Sequence, residues 1–247
     1  RVTGDLRDDA CLDVGLDNGV MSHYLRRHGG QWQTVVSDGR ALSVAREVLG
    51  EGVQTMEGGK IPFEAKRFDV VVMADCLEQS ENDEEIVREC HRVLNTEGVL
   101  VLAVERAKKF SIINILRSLI GDPLSIRGKP RRYYTEARLF AVLKHGFDVH
   151  HVRSHTRFFV TLTDFIVNSV LRGLDPEDPM SEQRVMRVMS IAGPFYWLSH
   201  QLDMFLFFTK GFKQIAVAKR RAWRERNAPV LNDGRSITEA VLSHVRK

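Results

Sequence analysis

The chain of 247 residues predicts an α/β protein, a doubly wound and mostly parallel sheet of seven strands with a helical insertion before the last strand. Three observations carry this reading. From Ala10 to Val104, short apolar runs alternate with segments of helical period, the pattern of β-α units joined by right-handed crossovers. FDVVVMAD (Phe68 to Asp75) and VLVLAV (Val99 to Val104) are nearly unbroken apolar runs, as expected of strands covered on both faces. After Glu105 the rhythm changes to long helical stretches, and FKQIAVAKR (Phe212 to Arg220) then alternates like a closing strand.

Taken in order, ACLDVG is the first strand, and Val20 to His28 is a helix with Met21, Tyr24 and Leu25 on one face. TVVSD is the second strand, ending at Asp38, and ALSVAREVL (Ala41 to Leu49) has apolar residues near helical spacing. VQTME is a weaker third strand, and Phe68 to Asp75 is the fourth. Asn82 is placed to cap a helix with acidic residues in its first turn, both favourable at a helix start. Its apolar stripe is Ile86, Val87, Cys90, Val93 and Leu94, and Gly98 is placed to break it before the fifth strand. SIINILRSLI is an amphipathic helix, followed by the Gly/Pro/Arg-rich loop GDPLSIRGKPRRYY. TEARLFAVLKHGF is a helix capped by Thr135 with Leu139, Phe140, Val142 and Leu143 inside and Gly146 as its stop. DVHHVRSHTRFF reads as the extended sixth strand, and 162–208 as mostly helical around the loop GLDPEDP. A capping-box pattern from Ser236 to Glu239 opens a short tail helix. The expected division is a core over 1–160, a helical insertion over 161–211, the last core strand over 212–221 and an extension over 222–247.

Bulk properties exclude several classes. A net charge of +4 is too mild to argue for nucleic acid by itself. Cys11, Cys76 and Cys90 cannot all pair and show no CxxC spacing, which suits a reducing, cytoplasmic setting and argues against structural zinc. No apolar run is long enough to span a bilayer, and no signal or transit peptide is read. The chain opens at Arg1 without Met, which points to a trimmed or partial chain.

The chemistry concentrates in LDVGLDNG (Leu12 to Gly19), a turn between the first strand and first helix. Glycine there lets the backbone approach a ligand, and the helix start offers main-chain N–H groups. A dinucleotide fingerprint would need glycine where Asp17 and Val20 stand, and no phosphate-binding GxxxxGK[ST] occurs. The stretch instead resembles motif I of the class I S-adenosylmethionine-dependent methyltransferases, with Asp13 as the acidic residue, Gly15 and Gly19 as the outer glycines, and Asp17 replacing the middle one. Further stretches follow in the family's order: Asp38 at the end of the second strand, MEGGKIPF, RFDVVVMADCLEQ, RECHRVLNTEGVLVL and YYTEARLFAVLKHGF. Thr96 and Glu97 stand where the fifth-strand turn has Pro and Gly in the family.

The resemblance implies a Rossmann-like fold, S-adenosylmethionine as cofactor, and methyl transfer to a small acceptor. It places Asp13, Gly15, Leu16, Asp17, Asn18 and Gly19 at the cofactor, with Asp38 and Gly39 at the ribose, Glu57 and Gly58 at the adenine, and Asp75 and Cys76 at the end of the fourth strand. A carboxylate such as Asp38 accepts from ribose hydroxyls; the alternative is a solvated residue at the strand end. Asp17 alternatively caps the following helix. Cys76 with Leu77 also reads as packing, and Glu78 as fixing a neighbouring loop. Gln79, Tyr133 and Tyr134 are candidates on the acceptor side; the basic loop of Arg127, Lys129, Arg131 and Arg132 before the tyrosines is either solvated or grips an anion. His150, His151 and His155 read as a solvated strand face, so no metal is expected. No catalytic base is legible.

The acceptor has to be inferred from the insertion. Phe195, Leu198, Leu202 and Phe205 fit one helical face, while Trp197, Met204 and Phe207 are apolar on another. Lys210, Lys213, Lys219, Arg220, Arg221, Arg224 and Arg226 follow. Two readings stand: a core-packing lid with a basic outer face, or peripheral membrane contact through 191–226 with a hydrophobic or carrier-linked acceptor. The choice between O- and C-methylation is open. The rivals are a cofactor-binding module without catalysis, suggested by GLDNG and NTEG, and a nucleic-acid methyltransferase, disfavoured because ADCLEQ stands where a base-modifying N/D-P-P-Y/F motif would.

Overall fold

The computed structural model describes residues 6, 8–15, 20–37, 39–80, 82–108, 111–121, 133–172 and 179–224. Leu16, Asp17, Asn18, Gly19, Asp38, the basic loop 127–132 and the Ser236–Glu239 capping box lie outside them. Seven strands form one sheet in the order β3-β2-β1-β4-β5-β7-β6. They are β1 (Ala10–Val14), β2 (Gln31–Val36), β3 (Val53–Thr55), β4 (Phe68–Ala74), β5 (Leu94–Glu105), β6 (Phe147–His155) and β7 (Lys213–Arg220). The first five pair in parallel, and β7 runs antiparallel between β5 and β6. The chain reverses its winding at β1, so a crevice opens beyond the carboxyl ends of β1 and β4, where open α/β sheets bind ligands.

The helices are α1 (Val20–Arg26), α2 (Gly39–Leu49), α3 (Asp83–Val93), α4 (Ile112–Ile120), α5 (Glu136–Leu143), α6 (Phe158–Leu171) and α7 (Pro179–Phe205). The main core packs α3 and α5 on β1, β4, β5 and β7 through Leu12, Val71, Met73, Val87, Cys90, Leu100, Leu102, Leu139, Leu143 and Ala216. Asn82 caps α3 by accepting from the Glu85 amide at 3.3 Å, and Thr135 caps α5 by accepting from the Arg138 amide at 3.1 Å. All three cysteines are buried and free; burial pushes the Cys76 thiol up to about 12, with Glu78 adding to it.

Several expectations are corrected. Phe140 on α5, expected inside, is exposed. Gly98 does not end α3; the helix stops at Val93, and Gly98 lies in an irregular part of β5 where pairing with β4 jumps from Phe68↔Leu94 to Val70↔Val99. A Cβ there would stand 2.8 Å from Leu94 Cδ2 and 2.9 Å from the Asn95 carbonyl, so the kink requires glycine. Phe158 and Phe159 do not extend β6. They open α6, because the Asp203 carboxylate accepts from the amides of Arg157 (2.9 Å), Phe159 (2.8 Å) and Val160 (3.3 Å) and so caps that helix from afar.

The largest correction concerns α7. Among its described side chains the buried positions are Ala192, Ser199 and Asp203, with Tyr196 half-buried, and they form a small, polar face turned toward α6. Tyr196 donates to Asp164 at 2.6 Å and Ser199 bonds Thr163 at 2.7 Å. Phe195, Leu198 and Phe205, which a core-packing lid would turn inward, are exposed, as are Trp197, Met204, Phe207 and Phe208. On α4 only Ile113 is buried, while Ile112, Ile115, Leu119 and Ile120 face outward. Among the described residues no helix is long and apolar enough to cross a membrane.

Candidate functional site

The register of the parallel strands brings the first group of candidates to one edge. Val14 pairs with Val35 and with Met73, and Val35 pairs with Gln54. Gly15 and Asp75 therefore follow neighbouring strands about 5 Å apart, and the turn after β3 lies two strands, about 10 Å, from Gly15 on the other side. Gly15 donates to the Val35 carbonyl at 3.0 Å, which holds the mouth of the first turn against β2. Beneath it Asp13 is 1% exposed, on the strand rather than in the crevice. Gly39 begins α2, and a Cβ at Gly39, Gly58 or Gly59 would meet nothing within 4 Å. Gly58 has φ +57° and Gly59 +80°, so the turn after β3 needs glycine to fold back, with Glu57 and Lys60 bridged across it and Glu57 exposed. The edge thus presents open backbone at three glycines and an accessible carboxylate, a donor and acceptor set that fits an adenosine group.

Asp75 marks the point where the edge meets a pocket of about 150 Å³. Its φ of +53° is a left-handed conformation uncommon for a residue with a side chain, and such strain gathers at functional sites. The amide of Asp75 donates to the Ala103 carbonyl at 3.1 Å, and its carboxylate is held by Lys213 Nζ at 2.9 Å. The pocket is walled by Asp75, Glu105 and Arg117, by Phe212 and Lys213 at the start of β7, by Thr156, and by one face of α6. Thr156 has φ +54°, an outlier for a β-branched residue. Beside it His155 Nδ1 bonds Thr156 Oγ1 at 2.8 Å, and burial, helped by Lys213, lowers its pKa from the usual histidine value.

Glu105 and Arg117 form a pair at 3.2 Å, both largely covered. The amide of Glu105 donates to Glu78 Oε1 at 2.6 Å, so the buried Glu78 fixes the end of β5 under the pocket. Tyr134 does not face an acceptor: its side chain is fully buried, with the hydroxyl donating to Asp83 at 2.9 Å and near the Leu77 carbonyl at 3.3 Å. Its backbone ties Glu105 and Ala107, and its carbonyl accepts from Gln214 Nε2 at 3.1 Å. Tyr133 is half-buried beneath the Arg117 guanidinium, 4.8 Å from the ring centroid, one layer behind the pocket wall. The Cys76 side chain points into the main core rather than the crevice, which leaves its backbone at the edge.

The sequence reading missed the α6 wall. Thr161, Asp164, Phe165 and Asn168 lie at i, i+3, i+4 and i+7, so they share one face that the helix turns to the pocket. The signal was present as polar residues at helical spacing inside FFVTLTDFIVNSVL. Asp164 is largely covered; burial raises its pKa above the usual carboxylate value, and the Tyr196 bond opposes that rise. In the sequence Lys213 is one member of a basic run, and its antiparallel pairing opposite Glu105 and His155 is a tertiary fact.

Residues 12–102 match a family described as a methyltransferase domain, the span from β1 to the middle of β5. The ubiquinone biosynthesis O-methyltransferase of Nitrosomonas europaea is 25% identical over 145 residues, covering 56% of this chain and 60% of that protein. The fold is shared with an S-adenosylmethionine-dependent methyltransferase of Methanosarcina mazei (TM-score 0.58, 14% identity, 89% of this chain and 95% of that one). A second such enzyme, from Mesorhizobium loti, matches at TM-score 0.56 and 16% identity, over 89% and 94% of the two chains. The seven-stranded sheet, the crevice at β1 and the matched domain define a methyltransferase-type nucleotide fold. The matched segment is thus of the methyltransferase-domain type, and the fold is one that S-adenosylmethionine-dependent methyltransferases share.

Proposed function

We propose that this chain transfers a methyl group from S-adenosylmethionine to a small acceptor seated in the pocket beyond Asp75. One observation carries the reading: Asp75, in a strained conformation, joins the glycine-lined edge to a ring-sized cavity. Gly15 to Gly19, Asp38, Gly39, Glu57 and Gly58 would hold the cofactor along β1 to β3, and Asp13 would support the turn from below. When bound, the cofactor supplies a sulfonium-activated methyl group, so the protein's task is orientation and exclusion of water. Lys213 fixes Asp75, Arg117 and Glu78 fix Glu105, and α6, backed by α7, closes the far wall. Calorimetry with S-adenosylmethionine and S-adenosylhomocysteine tests the cofactor half. Labelled methyl transfer to quinol, glycolipid and RNA pools tests the acceptor half, and absence of binding to either nucleoside would overturn the proposal.

The acceptor is apolar beyond its reacting end, delivered from a membrane surface on which α4 and α7 rest. The supporting observation is the outward set of Ile115, Leu119, Trp197, Phe205, Phe207 and Phe208, with Phe207 77% exposed, beside Lys210. An exposed apolar face of this extent next to basic residues suits a lipid interface. Flotation with vesicles containing anionic lipid tests it.

A further inference from the structure

The pocket holds three carboxylates and two cations, and the cations are engaged: Lys213 with Asp75 at 2.9 Å and Arg117 with Glu105 at 3.2 Å. Asp164 has no Lys or Arg at salt-bridge distance among the described residues; its carboxylate accepts from the Tyr196 hydroxyl at 2.6 Å. It stands on α6 between Thr161 and Asn168, one turn to either side on the same pocket face. A helix whose other residues are mostly apolar therefore turns a polar stripe into a small cavity. Thr161 Oγ1 donates to the Arg157 carbonyl at 2.6 Å and Asn168 Nδ2 to the Asp164 carbonyl at 2.7 Å, whereas a carboxylate has lone pairs for more than the one bond from Tyr196.

We infer that Asp164 is the acceptor-recognising residue of this pocket, receiving the hydrogen bond, and on reaction the proton, of a neutral hydroxyl on a compact, ring-sized group. The inference rests on the methyltransferase reading. The cavity volume is that of a site for a single six-membered ring, and Phe165 and Phe212 supply apolar walls. An anionic acceptor would meet three carboxylates against two cations already in use. A neutral hydroxyl donates to Asp164 without bringing a further charge into the pocket. In the transfer, the acceptor oxygen forms the new bond to the methyl carbon and the carbon–sulfur bond breaks, its electron pair staying on sulfur. The hydroxyl proton passes to the Asp164 carboxylate. Burial raises the proton affinity of that carboxylate, while Tyr196 and Lys213 restrain the rise. The charged groups facing it are Lys213 on β7, Asp75 after β4 and His200 on α7.

The test uses the whole chain loaded with S-adenosylhomocysteine, with phenol and benzoate as probes in ligand-observed NMR. Wild type is expected to prefer phenol over benzoate by about tenfold, and Asp164→Asn to lose that preference. Phenol binding should tighten as pH rises through the Asp164 transition. Tyr196→Phe, which removes the bond restraining the rise, should move that transition to higher pH, and Asp164→Asn should abolish it. An Asp164→Asn protein that keeps the preference or the transition overturns the inference and leaves the methyltransferase reading standing. A Tyr196→Phe protein with an unmoved transition does the same if Asp164→Asn fails to fold. Failure of S-adenosylhomocysteine to bind wild type overturns both.

Discussion

Asp203→Ala removes the remote cap of α6. In wild type that carboxylate, 5% exposed, accepts from three amides at 2.9, 2.8 and 3.3 Å, and the residue at the cap position, Arg157, contributes no side-chain cap bond. Losing one ordinary cap costs about 0.5–2 kcal/mol, and a charge-assisted bond contributes about 1.5–3 kcal/mol. Three amides share one carboxylate here, and water re-enters part of the gap, so a loss of about 2–3 kcal/mol is expected. For a chain of this size that lowers Tm by about 4–12 °C. Urea unfolding followed by circular dichroism measures the change, and hydrogen exchange at 157–160 localises it. S-adenosylhomocysteine affinity should stay within about twofold of wild type, since the edge from β1 to β3 is remote from the substitution. A variant within about 0.5 kcal/mol of wild type, the range of an ordinary surface substitution, would refute the reasoning.

Tyr134→Phe deletes the buried hydroxyl that donates to Asp83 but leaves Asp83 its Arg138 partner at 3.0 Å, so a loss of about 1–2 kcal/mol is expected by chemical denaturation. Exchanging Phe205, Phe207 and Phe208 together for Ser should leave stability within about 1 kcal/mol and sharply reduce vesicle flotation; a large loss of stability would mean that these rings are packed. Acid should destabilise the fold through His91 and His155. Burial lowers both pKa values below the usual 6.5, with Arg220 adding to the effect at His91 and Lys213 at His155. The unfolded chain then binds more protons below 6.5, so stability is complete above that pH and is lost as pH falls through the lowered folded values. His91→Gln should flatten the slope of stability against pH measured by urea titration.

The sheet was legible because its signals are local. The apolar runs of β4 and β5, the Asn82 and Thr135 caps and the alternation of β7 each reflect a preference that a short stretch expresses by itself. The pocket was legible only at its Asp75 rim. Lys213 reaches Asp75 across 138 positions, and Asp203 reaches the start of α6 across more than 40. No window of sequence contains both partners. Helix α7 misled for a different reason: apolar content suggests an inward face when water is assumed to be the surroundings, whereas here the inward face is chosen by hydrogen-bond partners on α6. Tyr134 was misassigned because an aromatic beside a basic loop looks like a binding residue until its hydroxyl is seen to end on Asp83.

The inverted face of α7 has a consequence for how firmly the pocket wall is held. Helices joined by apolar contact lose part of their attraction when water is withdrawn, since the attraction came from water. The α6–α7 pair is joined instead through Tyr196–Asp164, Ser199–Thr163 and the Asp203 cap, and such bonds strengthen in a medium of low polarity. Settling α7 into an oily surface would therefore stiffen the pocket, so that the wall is most rigid where an apolar acceptor is most concentrated.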